Sequence, residues 1–416
     1  MRSNPTIFLM RKISCLAAVV ITHLPFAASQ ACEKSPQRTC DLSQVVGVQT
    51  ISAPYRLTEE PALIEMGKAV RELGSDTLKL SVSAKYSELY HIPQNPRIKS
   101  VRDLVASDAS FKTVLNMPFR HVMLWLYPFS DSLDQLHQGK MSQKQSDLIY
   151  REIYDVTAYL LKTYAETGKS FYLGNWEGDW HTVKGYDQAT DPSADTLANM
   201  RDWLLLREKA VSDARRDTPH RGVNVFFYVE INHVRKAMKE GRPAIVNRVL
   251  PHIKTDFVSY SSYDVSKSAL KKGGAAGRSE LFEALDYIEK HLPPSDIPGK
   301  RVMIGEYGVT LESVRDPAIQ AKQVAQLMSW ALEWGCPFVL YWQLYCNEIN
   351  PQTQKHRGYW LIDDHGVKQP VWHLHHDFLQ RSQTWTETFQ KQHHRVPNQS
   401  EYNKAALEWV RDSASP

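Results

Sequence analysis

Two glutamates close apolar runs in a pattern that invites chemistry. One ends Phe171-Tyr172-Leu173-Gly174-Asn175-Trp176-Glu177, and the other ends Val302-Met303-Ile304-Gly305-Glu306. A charged residue at the end of a buried segment is costly unless it is paired or used. A salt bridge at a rim would account for either glutamate alone, but less well for both together. Two carboxyls facing across a cleft are what glycoside hydrolysis needs. One, held protonated by a less polar or negatively charged setting, donates to the departing oxygen; the other, kept ionised by hydrogen bonds, attacks the anomeric carbon. Such a pair gives a bell-shaped pH dependence, expected on the acidic side of neutrality.

To act together, both runs must deliver their ends to one rim. Downstream of Asp41, short β-rich runs alternate eight times with longer amphipathic runs. Strands are expected at 45–52, 77–83, 121–129, 170–177, 223–232, 257–263, 301–308 and 338–345. They are Val, Ile, Leu, Phe and Tyr runs with little alternation, as parallel strands buried on both faces require. Helical patterns lie between them. Residues 145–167 repeat apolar positions from Leu148 to Tyr164 and stop at Gly168. Asp191-Pro192 opens a second helix, and Asp316-Pro317 supplies an N-cap and a first-turn proline for a third, which Gly335 closes.

Eight β/α units in roughly 300 residues predict a (β/α)8 TIM barrel, an α/β fold with one catalytic domain. The alternative, a doubly wound open sheet, lacks its Gly-x-Gly-x-x-Gly after the first strand. The barrel is expected over 44–381. Before it lie residues 32–43, and after it a polar tail, 382–416, with one amphipathic helix near 402–410. In such a barrel the chemistry sits at the C-terminal strand ends, where Glu177 and Glu306 fall.

Composition narrows the partner. Of 50 Lys and Arg, three lie in the first 31 residues, leaving 47 against 46 Asp and Glu. A nucleic-acid binder carries a basic excess, so a neutral partner is favoured over nucleic acid. The chain has 11 Trp, 19 Tyr and 13 Phe. Several stand at strand ends, where flat rings can receive the apolar face of a ligand.

Arg2, Arg11 and Lys12 precede an apolar run over 13–28, and small residues follow at Ala27, Ala28, Ser29 and Ala31. This predicts a signal peptide over 1–31 and a secreted or periplasmic product. The run is shorter than the ~20 residues of a membrane span. Cys32 would follow a cut after Ala31, as a lipidated cysteine does, but Ser29-Gln30-Ala31-Cys32 lacks the Leu usual three positions earlier. Cys32 and Cys40 are close enough in sequence to pair in an oxidising compartment. Cys336 and Cys346 bracket one strand, too far apart to pair with each other.

With these residues in view, the chain over about 44–380 resembles clan A of the retaining glycoside hydrolases, a (β/α)8 superfamily with many cellulases, mannanases and xylanases. Ile304-Gly305-Glu306-Tyr307-Gly308 is similar to the clan's strand-seven motif, which implies that Glu306 is the nucleophile. The clan's acid/base ends strand four after an Asn, which implies Glu177 in that role. Trp342 matches an aromatic at the end of strand eight, and Tyr263 or Tyr260 a tyrosine after strand six. Gly358-Tyr359-Trp360-Leu361-Ile362-Asp363 resembles the usual close of these barrels. The resemblance implies no redox cofactor and no catalytic metal. Two departures stand out. Trp176 separates Asn175 from Glu177, although on an extended strand both would face one side, leaving Asn175 able to reach a sugar hydroxyl. Strand two carries Lys79 where the clan often has Arg.

The reading is therefore a retaining β-glycosidase acting on a poly- or oligosaccharide by double displacement. Asn175, Trp176, Trp180, Glu230, Tyr263 and Trp342 are the candidate substrate contacts. The rival from another class is a carbohydrate-binding barrel without turnover. Glu230, in Tyr228-Val229-Glu230-Ile231-Asn232, either lines the cleft, sits in an ion pair or replaces Glu177 as acid. Asp179 and His181 are ordinary loop residues unless they polarise Glu177. His373, His375 and His376 lack the i, i+4 spacing of a zinc helix and suit a partly exposed helix face. Lys271-Lys272-Gly273-Gly274-Ala275-Ala276-Gly277 lacks the Gly-Lys-Ser/Thr ending of a phosphate loop and is expected to be a mobile loop.

Overall fold

Eight strands close into a barrel in chain order, β1-β2-β3-β4-β5-β6-β7-β8, every neighbouring pair parallel. The computed structural model describes residues 45–413; the expected signal peptide, Cys32, Cys40 and residues 32–43 lie outside them. The strands are β1 Val46–Gln49, β2 Thr77–Val82, β3 His121–Leu126, β4 Ser170–Gly174, β5 Asn224–Ile231, β6 Phe257–Ser261, β7 Val302–Tyr307 and β8 Val339–Tyr341. The fold is the (β/α)8 barrel that the alternation predicts. Most strands end earlier than expected, because their C-terminal residues leave the ladder and turn into the rim. Among the described residues, no helix is long and apolar enough to cross a membrane.

Each strand alternates between two cores. Val122, Leu124, Val225, Phe227, Val229, Val258 and Val302 face the surrounding helices. Met123, Trp125, Tyr172, Phe226, Tyr228, Phe257, Met303 and Phe338 fill the barrel interior. The same alternation sends Lys79, Glu230 and Ser259 inward, so the upper interior is polar where the lower is aromatic.

Helix boundaries follow local capping. Asp316 accepts backbone N–H bonds from Ala318 and Ile319, Pro317 opens the helix Pro317–Trp334, and Gly335 closes it with φ 92°, as expected. The helix expected from Asp191-Pro192 starts later, at Ala194, because Ser193 caps it by accepting from the Thr196 N–H. The helix of residues 145–167 is Gln143–Thr163, capped by Ser142. The expected barrel end at 381 falls inside a helix, Pro370–His393, and Gln399–Ser413 packs back upon it. Ser382 and Tyr402 hydroxyls meet at 2.9 Å across that contact. Cys336 and Cys346 are buried and free.

The register of β7 slips beside β6. Tyr260 pairs with Ile304 but Ser261 pairs with Glu306, so Gly305 is extra. This bulge lets Gly305 and Glu306 both leave the helix-facing side, while Tyr307 returns to it. There the Tyr307 hydroxyl bonds His375 Nε2 at 2.9 Å, and His375 Nδ1 bonds the Val371 carbonyl at 2.7 Å. Burial pushes His375 down to about 4, so the neutral ring accepts from Tyr307 and donates to Val371. A Cβ on Gly305 would collide with the Ser259 hydroxyl, approach Ser259 Cβ to 2.8 Å and Glu230 to 3.1 Å. Gly305→Ala is expected to destabilise the protein by about 2 kcal/mol or more through overpacking; adding Ser259→Gly removes the clash but also a donor to Glu230, so it should recover only part. Urea denaturation checks this; an unchanged midpoint in the single variant would contradict the packing argument.

Candidate active site

Beneath the rim lies a buried ion pair. Lys79 Nζ on β2 sits 2.6 Å from Glu230 Oε2 on β5, both side chains essentially inaccessible. Ser259 on β6 donates to the same Glu230 oxygen at 2.6 Å, and Lys79 also donates to the Gly305 carbonyl at 3.2 Å. Gln49 Nε2 on β1 reaches that carbonyl at 2.8 Å. Glu230 Oε1 accepts the Glu177 backbone N–H at 3.2 Å. The pair thus holds the backbone of Glu177 directly and that of Glu306 through its neighbour. Lys79 also lies 4.6 Å from the centre of the Trp125 ring, a cation–π contact.

Glu177 follows the end of β4 by three residues, and a short helical turn, Gly178–Thr182, begins just after it. Glu177 is 7 % exposed, and its carboxyl accepts hydrogen bonds from the Ser261 hydroxyl and, at 3.5 Å, the Asn232 amide. The Trp180 side chain bonds it as well. Burial pushes Glu177 up to about 8; the Ser261 bond opposes this and Glu230 reinforces it. Asn232 is held by Asp179, which accepts the N–H groups of Asn232, His233 and Ile245 at 3.0, 3.2 and 2.8 Å. Asp179 is therefore an organiser of three loops rather than an ordinary loop residue. His181 meets the Tyr127 hydroxyl at 3.3 Å and packs edge-on to Trp176.

Glu306 is 3 % exposed. Burial, then repulsion from Glu177 and Glu230, pushes it well above the usual carboxylate range, and Lys79 opposes the shift. Among the described residues its Oε1 has no hydrogen-bond partner, and neither has the Tyr263 hydroxyl. Glu306 is the strongest charge acting on Tyr263. The expectation that hydrogen bonds keep the strand-seven glutamate ionised is thus unmet in the protein alone: the donors gather on Glu177 instead.

Glu177 and Glu306 line one cavity of ≈ 550 Å³ with Ile51, Trp125, Trp176, Tyr263, Trp342, Asn347, Glu348, Arg357 and Tyr359. Trp125 lies between Trp176 and Trp342, at ring separations of 6.1 and 5.9 Å. The Trp342 indole donates to Glu348 at 2.9 Å, and Glu348 pairs with Arg357 at 3.0 Å. Tyr263 meets Tyr359 edge-on at 5.7 Å. Tyr260, the other candidate, faces the helices and bonds Asp264.

Three expected contacts are corrected. Asn175 does not face the cleft: its amide donates to the Glu230 carbonyl at 3.1 Å and accepts the Glu230 N–H at 3.2 Å. β4 ends at Gly174, so strand alternation no longer applies to Asn175 and Glu177. Glu230 lies fully buried below the cavity in its ion pair. Trp180 packs 4.4 Å from the His233 ring and spends its side-chain donor on Glu177, so it positions that carboxyl instead of offering a free face to sugar. The residues that sequence reasoning missed are Trp125, Ser261, Asn232 and Glu348. Trp125 lies inside the third apolar run, 121–129, where its spacing does not distinguish it from a core aromatic.

Solved structures of glycoside hydrolases share this fold. A GH5_18 protein from Bifidobacterium longum subsp. longum, solved with Manβ1-4GlcNAc, matches with TM-score 0.54 and 16% identity over 82% of this chain and 78% of its own. The exo-beta-1,4-mannosidase Op5Man5 from Opitutaceae bacterium strain TAV5 matches with TM-score 0.51 and 14% identity, over 82% of this chain and 60% of its own. A family 39 glycoside hydrolase from Bacteroides cellulosilyticus gives TM-score 0.47 and 12% identity, over 81% and 63%. The chain spans less than two thirds of the last two. No family model matches the chain, and no curated protein does.

Two outcomes are expected from this electrostatic arrangement. Lys79→Met leaves Glu230 as a lone buried charge and should cost about 3–5 kcal/mol, while Lys79→Met with Glu230→Gln should recover much of it; chemical denaturation measures both. Glu177, raised from 4.5 to about 8, keeps in the folded protein a proton that the unfolded chain has released. Its contribution to stability therefore falls as pH rises from about 4.5 through about 8. Glu177→Gln should flatten that fall and raise Tm at pH 8.5 relative to the parent; an unchanged difference between pH 5 and 8.5 would refute the raised proton affinity.

Proposed function

We propose that the chain is an exported retaining β-glycosidase of poly- or oligosaccharides, with Glu177 as acid/base and Glu306 as nucleophile. The observation that carries this reading is the pair itself: two buried carboxyls from β4 and β7, both of raised proton affinity, in one tryptophan-walled cavity. The neighbouring structures support it, because proteins named as glycoside hydrolases share the fold. Export is proposed from the apolar, basic-flanked N-terminal run.

In the first step Glu177 gives its proton to the glycosidic oxygen while Glu306 attacks the anomeric carbon, so the C–O bond breaks as a glycosyl–Glu306 ester forms. In the second, Glu177 takes a proton from water, whose oxygen displaces Glu306 from the anomeric carbon. Sugar rings meet the faces of Trp125, Trp176 and Trp342. The missing donor to Glu306 is supplied in the complex by a sugar hydroxyl and by Tyr263, whose hydroxyl is otherwise unspent. Those donors favour the charged form of Glu306 while Glu177 keeps its proton. Sugar binding without turnover is the second reading, and the bare Glu306 oxygen is the observation that favours it.

The active form holds one proton on the pair. Burial raises both groups, so the bell of kcat/KM should shift upward from the acidic side, with its alkaline limb near 8. The pH profile on the best aryl glycoside checks this; an optimum below pH 5 would contradict it. Azide separates the roles. Glu306→Ala with azide should yield a glycosyl azide of inverted configuration, and Glu177→Ala one of retained configuration. Full activity of Glu177→Ala on natural glycan would remove Glu177 from the acid/base role.

A further inference from the structure

Beyond Tyr263, which also lines the catalytic cavity, opens a second groove of ≈ 740 Å³. Its walls come from the loop after β4, the helix Val234–Glu240 and the helix Tyr263–Lys272. The glycine-rich stretch after Lys272 is not a loop. Gly273, with φ 65°, breaks the chain between that helix and Gly274–Lys290, which fixes Lys271 in the last turn facing the groove.

Five cationic side chains and three carboxyls line this groove. Each carboxyl has partners, though Asp187 and Glu240 keep their charge. Asp187 accepts from Ala189 N–H at 2.9 Å and the Thr190 hydroxyl at 2.7 Å. Asp264 accepts from the Tyr260 hydroxyl and, at 2.7 Å, the Arg235 N–H, and burial pushes it up to about 7. Glu240 lies 3.4 Å from Arg242. Two of the cations are paired as well: Asp191 sits 3.8 Å from Lys236 and 2.8 Å from Arg242.

Arg235, Lys267 and Lys271 make no ion pair among the described residues. Lys267 and Lys271 are one helical turn apart, a like-charge spacing that destabilises a helix by a few tenths of a kcal/mol. Lysines of the same helices that point away from the groove are neutralised: Lys239 by Glu283 and Lys272 by Glu280, the latter at 3.1 Å. Three cations on the groove side are thus left without an ion-pair partner, and they outnumber the exposed carboxylates Asp187 and Glu240 beside them, although the chain as a whole is near neutral.

We infer that this groove is an anion subsite for a charged glycan: Arg235, Lys267 and Lys271 take a carboxylate or sulfate on a sugar unit that lies beyond Tyr263 from the one at Glu177 and Glu306. The inference deepens the glycosidase reading and rests on the cavity beside it holding sugar. A neutral polysaccharide would leave these three cations unused; a uronate-bearing or sulfated one places its charge among them.

Calorimetric binding to the full chain tests it. The probes are galacturonate and glucuronoxylan fragments with their carboxyl-reduced forms, and sulfated galactan fragments with their desulfated forms. Lys267→Gln/Lys271→Gln is compared with Lys239→Gln/Lys272→Gln, which removes the same charge outside the groove. At low salt, the charged member of at least one pair should bind about tenfold tighter than its neutral form. The groove variant should lose that preference, the outer variant should keep it, and added salt should weaken it. Which arm responds separates carboxylate from sulfate. Equal binding of charged and neutral members in every arm, or equal loss in both variants, would overturn the subsite. A charge preference without hydrolysis of any glycan would sink the glycosidase reading and leave the groove standing. Hydrolysis of neutral aryl glycosides without a charge preference would do the reverse.

Discussion

The ion pair of Lys79 and Glu230 is the contact on which the site depends. A buried pair is worth its desolvation only when the remaining hydrogen-bond positions are filled, and here they are. Glu230 receives Lys79, the Ser259 hydroxyl and the Glu177 N–H; Lys79 also reaches the Gly305 carbonyl. Four strands meet in that cluster. It holds the chain just before Glu306 and the chain at Glu177, so interior chemistry anchors the backbone from which both carboxyls project, and rim residues then orient the Glu177 carboxyl. It also acts on their charge: burial raises both glutamates most, Glu230 adds to the rise and Lys79 opposes it.

Above that layer the two glutamates are treated unequally. Glu177 is surrounded by donors and Glu306 has an orphan oxygen. In the protein alone both carboxyls have raised proton affinity and the donors gather on Glu177, whereas double displacement asks for the charge on Glu306. A sugar hydroxyl and Tyr263 would restore the order on binding, so the site is complementary to the substrate complex rather than to its own resting state. The groove beyond Tyr263 extends the same logic outward, since among the described residues three of its five cations, Arg235, Lys267 and Lys271, have no ion-pair partner.

Much of this was legible in the sequence, and what was not has identifiable causes. Eight apolar runs were enough for the barrel, because a parallel strand buried on both faces leaves an unambiguous signature. Glu177 and Glu306 were legible because each charge closes such a run. Asn175 was misread because β4 ends one residue before it, and a period-two argument cannot see where a ladder stops. Glu230 was left among three roles because its partner, Lys79, is 151 residues away; no local pattern encodes a contact of that range. Ser261 and Asn232 were invisible for the same reason, being common residue types whose role exists only across strands. Whole-chain charge was silent about the basic groove, because a sum near zero says nothing of where the charges sit.

The account turns on Glu306 forming a covalent bond to sugar. The most direct measurement is incubation with 2-deoxy-2-fluoro aryl glycosides, followed by intact-mass and peptide mapping of the inactivated protein. One glycosyl unit should be found per chain, on Glu306, and Glu306→Gln should take up none. Label on Glu177 or Glu230, or turnover of the parent glycosides with no label at all, would contradict the assignment of Glu306 as nucleophile.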